Sequence, residues 1–144
     1  MNDDQSRVVI RGLRGVVAAT TKISFVDPLG SLYYSGYNID ELVGKTSYDE
    51  VVYLLLNNKL PTKRELEALK MDLFSALTLS DQVIERLKAT SPSWHPIDVL
   101  RTEISHLGEF DPDPDDNSTS TNRKRAIQFI AKIPVITSFL YRIR

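Results

Sequence analysis

Of the two side chains most versatile in acid–base, nucleophilic and metal chemistry, this chain has two histidines, His95 and His106, and no cysteine. Without Cys there is no thiolate nucleophile, no thiolate zinc site and no disulfide framework, a composition that suits a reducing compartment. The two histidines lack the His-Glu-x-x-His arrangement that places two imidazoles and a base on one helical face, so they do not read as a metal pair. His95, directly before Pro96, reads as a helix-start residue hydrogen-bonded locally, and His106 as a helix-surface or interface residue. No Gly-x-Ser-x-Gly elbow presents a serine nucleophile. Asp111, Asp113, Asp115 and Asp116 gather enough charge to attract Ca²⁺ weakly. The alternating prolines, and the missing glycine and terminal Glu of a calcium loop, leave them as a solvated acidic loop. Gly12 and Gly15 lack the third glycine, preceding strand and following helix of a dinucleotide-binding loop, so they read as a turn. None of these residues therefore reads as a metal site or as a cysteine or serine nucleophile.

Charge points to no partner either. The 144 residues carry 18 basic and 19 acidic side chains, a net charge of −1, which gives no field to draw nucleic acid or an anionic membrane. With 42% hydrophobic residues the chain can build one core of ordinary domain size. Its polar start, Met1 to Arg7, has no secretory pattern. No uninterrupted apolar run approaches the roughly 20 residues that cross a bilayer. The expectation is a cytoplasmic, soluble protein.

The elements that would position any site are mainly helical. Residues 1–6 read as a tail, and residues 7–37 as an extended segment, Arg7 to Ile10, followed by a hairpin. Lys22 to Asp27 and Ser31 to Tyr37 form its strands, and Asp27-Pro28-Leu29-Gly30 supplies the turn, with Pro at the second position presetting φ. Residues 38–110 read as helices. Ile39 to Val43 gives a turn or two. Ser47 to Glu50 is a capping box opening a buried helix over Tyr48 to Asn57. Thr62 to Glu65 is a second capping box, for a helix with Leu66, Leu69, Leu73 and Leu77 on one stripe. Ser80 to Lys88 gives a short helix. Trp94 to Phe110 gives another, opened by Pro96 in its first turn, with Ile97, Leu100, Ile104 and Leu107 at helical spacing. Residues 111–121 have almost nothing apolar to bury and are expected to be a mobile loop. Residues 122–144 form a last helix kinked at Pro134, too apolar to stand exposed and without a capping signal at its end. Further chain or another subunit is expected to cover it. There is no internal repeat and no convincing second domain.

Set in that order, four stretches resemble the citrate synthase and 2-methylcitrate synthase family, in its N-terminal portion: Gly12 to Ser24, Gly30 to Leu42, His95 to Thr102 (His-Pro-Ile-Asp-Val-Leu-Arg-Thr) and Ile130 to Pro134 (Ile-Ala-Lys-Ile-Pro). Two positions depart from the family pattern. Ser35 stands where Arg is usual in Tyr-Arg-Gly-Tyr, and Glu103 where a small residue is usual. The resemblance implies a mainly α fold, a helical bundle with a small N-terminal β-hairpin like the start of the family's large domain. It implies the N-terminal part of an enzyme that condenses acetyl-CoA or propionyl-CoA with oxaloacetate. The family's catalytic histidines, aspartate and carboxylate-binding arginines come from segments downstream of anything matched here, so the chain alone is expected to be inactive, with no cofactor of its own. A helical dimerisation or subunit-interaction module is the alternative. The family can contact CoA phosphates through an arginine before the Gly-Leu segment and basic residues before the long helix. Those positions are Arg11 and Arg123, each otherwise a solvated surface arginine. The family also dimerises through helices matching 95–110 and 122–144, which implies a homodimer or a complex with a longer synthase subunit.

Overall fold

A computed structural model describes residues 12, 15–17 and 19–144, which form two compact units, one ending at Thr46 and one running from Ser47 to Arg144. The sequence reading takes the chain as a single region. The extended segment expected over Arg7 to Ile10 lies outside the described residues, as does Arg11.

In the first unit three short antiparallel strands, β1 (Ser24–Val26), β2 (Leu32–Tyr34) and β3 (Tyr37–Asn38), lie in the order β1-β2-β3. The register pairs Phe25 with Tyr33 and Tyr34 with Tyr37. The expected turn is present: Gly30 N–H donates to Asp27 C=O at 3.0 Å. The Asp27 carboxylate also accepts from Leu29 N–H at 2.8 Å and Ser31 N–H at 2.9 Å, and the Ser31 amide is the largest influence holding its pKa below the usual value. The third strand goes beyond the expected two-stranded hairpin. It returns through Ser35 and Gly36, both at positive φ (47° and 90°), the backbone of a tight two-residue hairpin turn that Asn-Gly would have signalled. Helix α1 (Ile39–Leu42) follows, with Asn38 accepting from Asp40 N–H as its N-cap.

The second unit is built from five helices: α2 (Tyr48–Asn57), α3 (Lys63–Ser75), α4 (Asp81–Ala89), α5 (Pro96–His106) and α6 (Thr119–Ile143), with a 3₁₀ turn, Leu107–Phe110, after α5. Both expected capping boxes are formed, Ser47 with Glu50 and Thr62 with Glu65, which satisfies the free amides at the starts of α2 and α3. Helix α2 ends at Asn58 in the left-handed conformation (φ 57°). Helix α6 touches α3, α4 and α5 and joins two clusters of buried side chains. Its Ile127 packs with Val52, Tyr53 and Leu69, whereas Ile136 and Leu140 pack with Leu79, Val83, Leu87 and Val99.

Several expectations are corrected. Helix α3 stops at Ser75, so Leu77 falls beyond its stripe and is exposed. The buried face of α5 is Val99 and Glu103, while Ile97 is 59% exposed. Helix α6 starts at Thr119, three residues early, because Ser118 caps it by accepting from Thr121 N–H. It continues through Pro134 to Ile143. By length and composition α6 is apolar enough to cross a membrane, with a mean hydropathy of 1.3 over its best window. The sequence expectation missed this because polar residues interrupt every apolar run. Its buried Ile127, Ala131, Ile136 and Leu140 are also what a core helix presents.

Candidate functional site

The acidic spacer, expected to be mobile, is held by one arginine. Arg125 Nε donates to Asp111 Oδ2 at 2.6 Å, Nη1 to the Asp116 carbonyl at 2.6 Å and Nη2 to the Asp113 carbonyl at 2.7 Å. This guanidinium is the largest influence lowering the Asp111 pKa. Asp116 accepts from the Thr121 hydroxyl, the main cause of its own lowered pKa, and from Ser118 N–H. The Asp111 and Asp116 carboxylates are thus spent on closing the loop onto the start of α6, and no cluster of three or more metal-ligating side chains occurs among the described residues.

His95 is placed as expected, its Nδ1 accepting from Ile97 N–H at 3.3 Å as the N-cap of α5. His106 lies 3.3 Å from Glu103 Oε1. Glu103, only 3% exposed, also faces Arg86 Nε at 3.4 Å, and Arg86 reaches on to Glu109 Oε2 at 3.4 Å. Arg86 Nη2 is buried with no hydrogen-bond partner among the described residues. In the sequence Glu103 stands out only as a departure from a small residue. Its partner sits seventeen positions earlier, a distance at which no periodicity rule links residues.

Two of the open surfaces on the helical unit involve residues singled out in the sequence. The first is an apolar cleft of about 490 Å³ between α5 and α6, walled by Pro96, Ile97, Leu100, Leu140 and Tyr141, with His95 and Arg144 at its edge. Arg144 Nη2 donates to the Trp94 carbonyl at 2.6 Å. Tyr141 is 86% exposed and Trp94 and Ile143 are exposed as well, so the apolarity read from the last helix does leave an uncovered face. The second is a groove of about 630 Å³ between α3 and the first half of α6, lined by Arg123, Lys124 and Lys132. Arg123 is half-buried, and its Nη1 donates to Asn57 Oδ1 at 2.7 Å, so the guanidinium is tied to the end of α2 as well as lining the groove. The structure brings Arg123 together with Lys124 and Lys132, two cations that the sequence shows only as polar positions along a helix. Arg11, the other arginine singled out in the sequence, lies outside the described residues.

Comparison with known proteins agrees with the fold. The family model described as citrate synthase, C-terminal domain, matches residues 12–144. The citrate/2-methylcitrate synthase of Bacillus subtilis strain 168 is 41% identical over 133 residues, which is 92% of this chain and 36% of the relative. The 2-methylcitrate synthase 1 of Corynebacterium glutamicum is 36% identical over 100% of this chain and 37% of its own length. The crystal structure of citrate synthase from Pyrobaculum aerophilum superposes with a TM-score of 0.80 at 29% identity, covering 91% of this chain and 35% of that one. The chain thus spans little more than a third of the relatives it matches.

Proposed function

We propose, from the premise that this chain belongs to the citrate synthase family, that it forms the N-terminal helical portion of a citrate-synthase-type subunit and does not turn over substrate by itself. The complete reaction would condense acetyl-CoA or propionyl-CoA with oxaloacetate. That chemistry needs a carboxylate to take a proton beside the thioester and histidines to stabilise the enol and polarise the ketone. The observation that carries the reading is the engagement of both histidines: His95 caps α5 and His106 rests against buried Glu103, on different ends of one helix. The helices of this chain act as scaffold, and the reacting groups belong to the part of the family that this chain does not match. Incubating the purified chain with either acyl-CoA and oxaloacetate, and following free thiol, should give no release above background. Turnover at an enzymatic rate overturns the proposal.

The open α5–α6 cleft favours a second reading, a helical module that pairs with its own copy or with a longer synthase subunit through 95–110 and 122–144. Exposed Trp94 and Tyr141 are residue types that anchor such interfaces, and exposed Ile97 adds apolar surface beside them. Light scattering should report a dimer or a stable mixed complex, and Tyr141→Asp should return it to a monomer. A wild-type chain that stays monomeric, with no affinity for a longer synthase, rules this out. Membership of a family of metabolic enzymes and the cysteine-free composition support a cytoplasmic location. Arg123, and Arg11 by resemblance, are the proposed contacts to CoA phosphates.

A further inference from the structure

We propose that the peptide bond between Asp113 and Pro114 is a self-cleavage site, at which the Asp113 carboxylate attacks its own main-chain carbonyl under acid conditions. Three Asp-Pro pairs occur in the chain: Asp27-Pro28, Asp111-Pro112 and Asp113-Pro114. An aspartate can displace the residue after it through a five-membered cyclic anhydride, and proline favours the step because its tertiary amide nitrogen is more basic than an ordinary one. The reaction needs a carboxylate that is not already engaged, and a carbonyl made electrophilic by donors aimed at its oxygen. Asp27 and Asp111 lack the first. The Asp27 carboxylate accepts from the Leu29 and Ser31 amides, and that of Asp111 accepts from Arg125 Nε at 2.6 Å and from Asp113 N–H at 3.1 Å. Asp113 has both. Its side chain is exposed and makes no hydrogen bond or ion pair among the described residues. Its carbonyl oxygen accepts from Arg125 Nη2 at 2.7 Å and from Asp116 N–H at 3.2 Å. One of these donors is a full cation delivered from α6, so negative charge developing on that oxygen is met where it forms. The bond from Asp113 Oδ to its own carbonyl carbon forms as the bond to the Pro114 nitrogen breaks, and that nitrogen takes a proton from solvent acid. Water then opens the anhydride, leaving one chain that ends in Asp113 and another that begins at Pro114, with one water consumed. Asp111, whose pKa the Arg125 hydrogen bond lowers, stays charged while ordinary carboxylates titrate, so Arg125 keeps its place as acid becomes available. Cleavage leaves α6, which supplies Ile127 to one buried cluster and Ile136 and Leu140 to the other, held only by noncovalent contacts.

The step involves neither an acyl-CoA nor oxaloacetate, so it is read independently of the thiol-release assay. The purified chain is held at a pH of about 4, where an ordinary aspartate is partly ionised and solvent acid is available, and sampled by intact-mass spectrometry. Products ending at Asp113 and beginning at Pro114 should accumulate about ten-fold or more faster than products of cutting after Asp27 or Asp111. Asp113→Ala should abolish that pair of products and leave the slow cutting after Asp27 as it was. Arg125→Gln removes the cationic donor and should slow the Asp113 cut by about ten-fold or more, with circular dichroism at the same pH checking that the helices persist. If that variant unfolds, the wild type in urea supplies the comparison, because denaturation takes the donors away from all three carbonyls and cutting after Asp113 should fall to the rate at the other two bonds. Equal cutting at the three bonds in the folded protein, absence of the Asp113 and Pro114 products, or their persistence in Asp113→Ala overturns the proposal. So does a rate unchanged by Arg125→Gln or, where that variant unfolds, by urea.

Discussion

Glu65 performs two tasks with one carboxylate. It accepts from Lys59 Nζ at 2.6 Å, from Thr62 N–H at 2.8 Å and from the Thr62 hydroxyl at 2.9 Å, so it pins the loop between α2 and α3 while capping α3. The Lys59 hydrogen bond foremost, and the Thr62 amide after it, lower its pKa from 4.5 to about 2. A carboxyl that is more acidic folded than unfolded contributes stability that is fully present above the unfolded value, and that is lost as pH falls from 4.5 through about 2. Acid titration followed by circular dichroism should therefore show Glu65→Gln less stable than wild type near neutral pH. The two proteins should converge as the pH approaches 2, and a constant gap across that range would contradict the assignment. Glu103 poses the opposite problem, a carboxylate removed from water and balanced by Arg86. Arg86→Ala leaves that carboxylate with His106 alone and should lower stability in urea unfolding, by less than the about 3–5 kcal/mol that a fully stranded buried charge costs, whereas replacing both members with apolar residues of similar size should recover most of the loss.

Among the elements, α6 decides most. It contributes Ile127 to one cluster and Ile136 and Leu140 to the other, so a defect in it weakens both. Ile136, fully buried, should lose about 2–5 kcal/mol on truncation to Ala, measured as a fall in thermal midpoint. Tyr141→Ala, on the open face, should change the monomer's stability little. The start of α6 depends on Arg125. Removing that guanidinium releases Asp111, the Asp113 and Asp116 carbonyls and Asn122 together. Arg125→Ala should then speed amide exchange over residues 111–121 while leaving α4 protected, and unchanged exchange in the loop would show that the spacer is held by something else.

Across the whole molecule, the two units differ in how they resist opening. The sheet unit has strands of two or three residues, with β1 exposed along its length, whereas the helical unit holds two buried clusters. Native-state hydrogen exchange should find the amides of β1 and β2 opening with a much smaller free energy than those of α2 and the middle of α6. Equal protection in both units would mean that they open together.

Much of this architecture is legible in the order of the amino acids alone. The capping boxes at Ser47 and Thr62, the Asp27–Gly30 turn, the His95-Pro96 helix start and the apolar last helix are each written within a few consecutive residues, because caps, turns and helical periodicity are short-range effects. Family membership is legible for the same reason, as ordered short motifs. What needed the fold lies between residues far apart in sequence: the burial of Glu103 against Arg86, the hold of Arg125 on the acidic spacer, the bond from Arg123 to Asn57, and the convergence of Lys124 and Lys132 with α3. Propensity and spacing say which residues share a helix face, but only the packing of one helix against another decides which of those faces is buried, which charges meet and which are left free to bind.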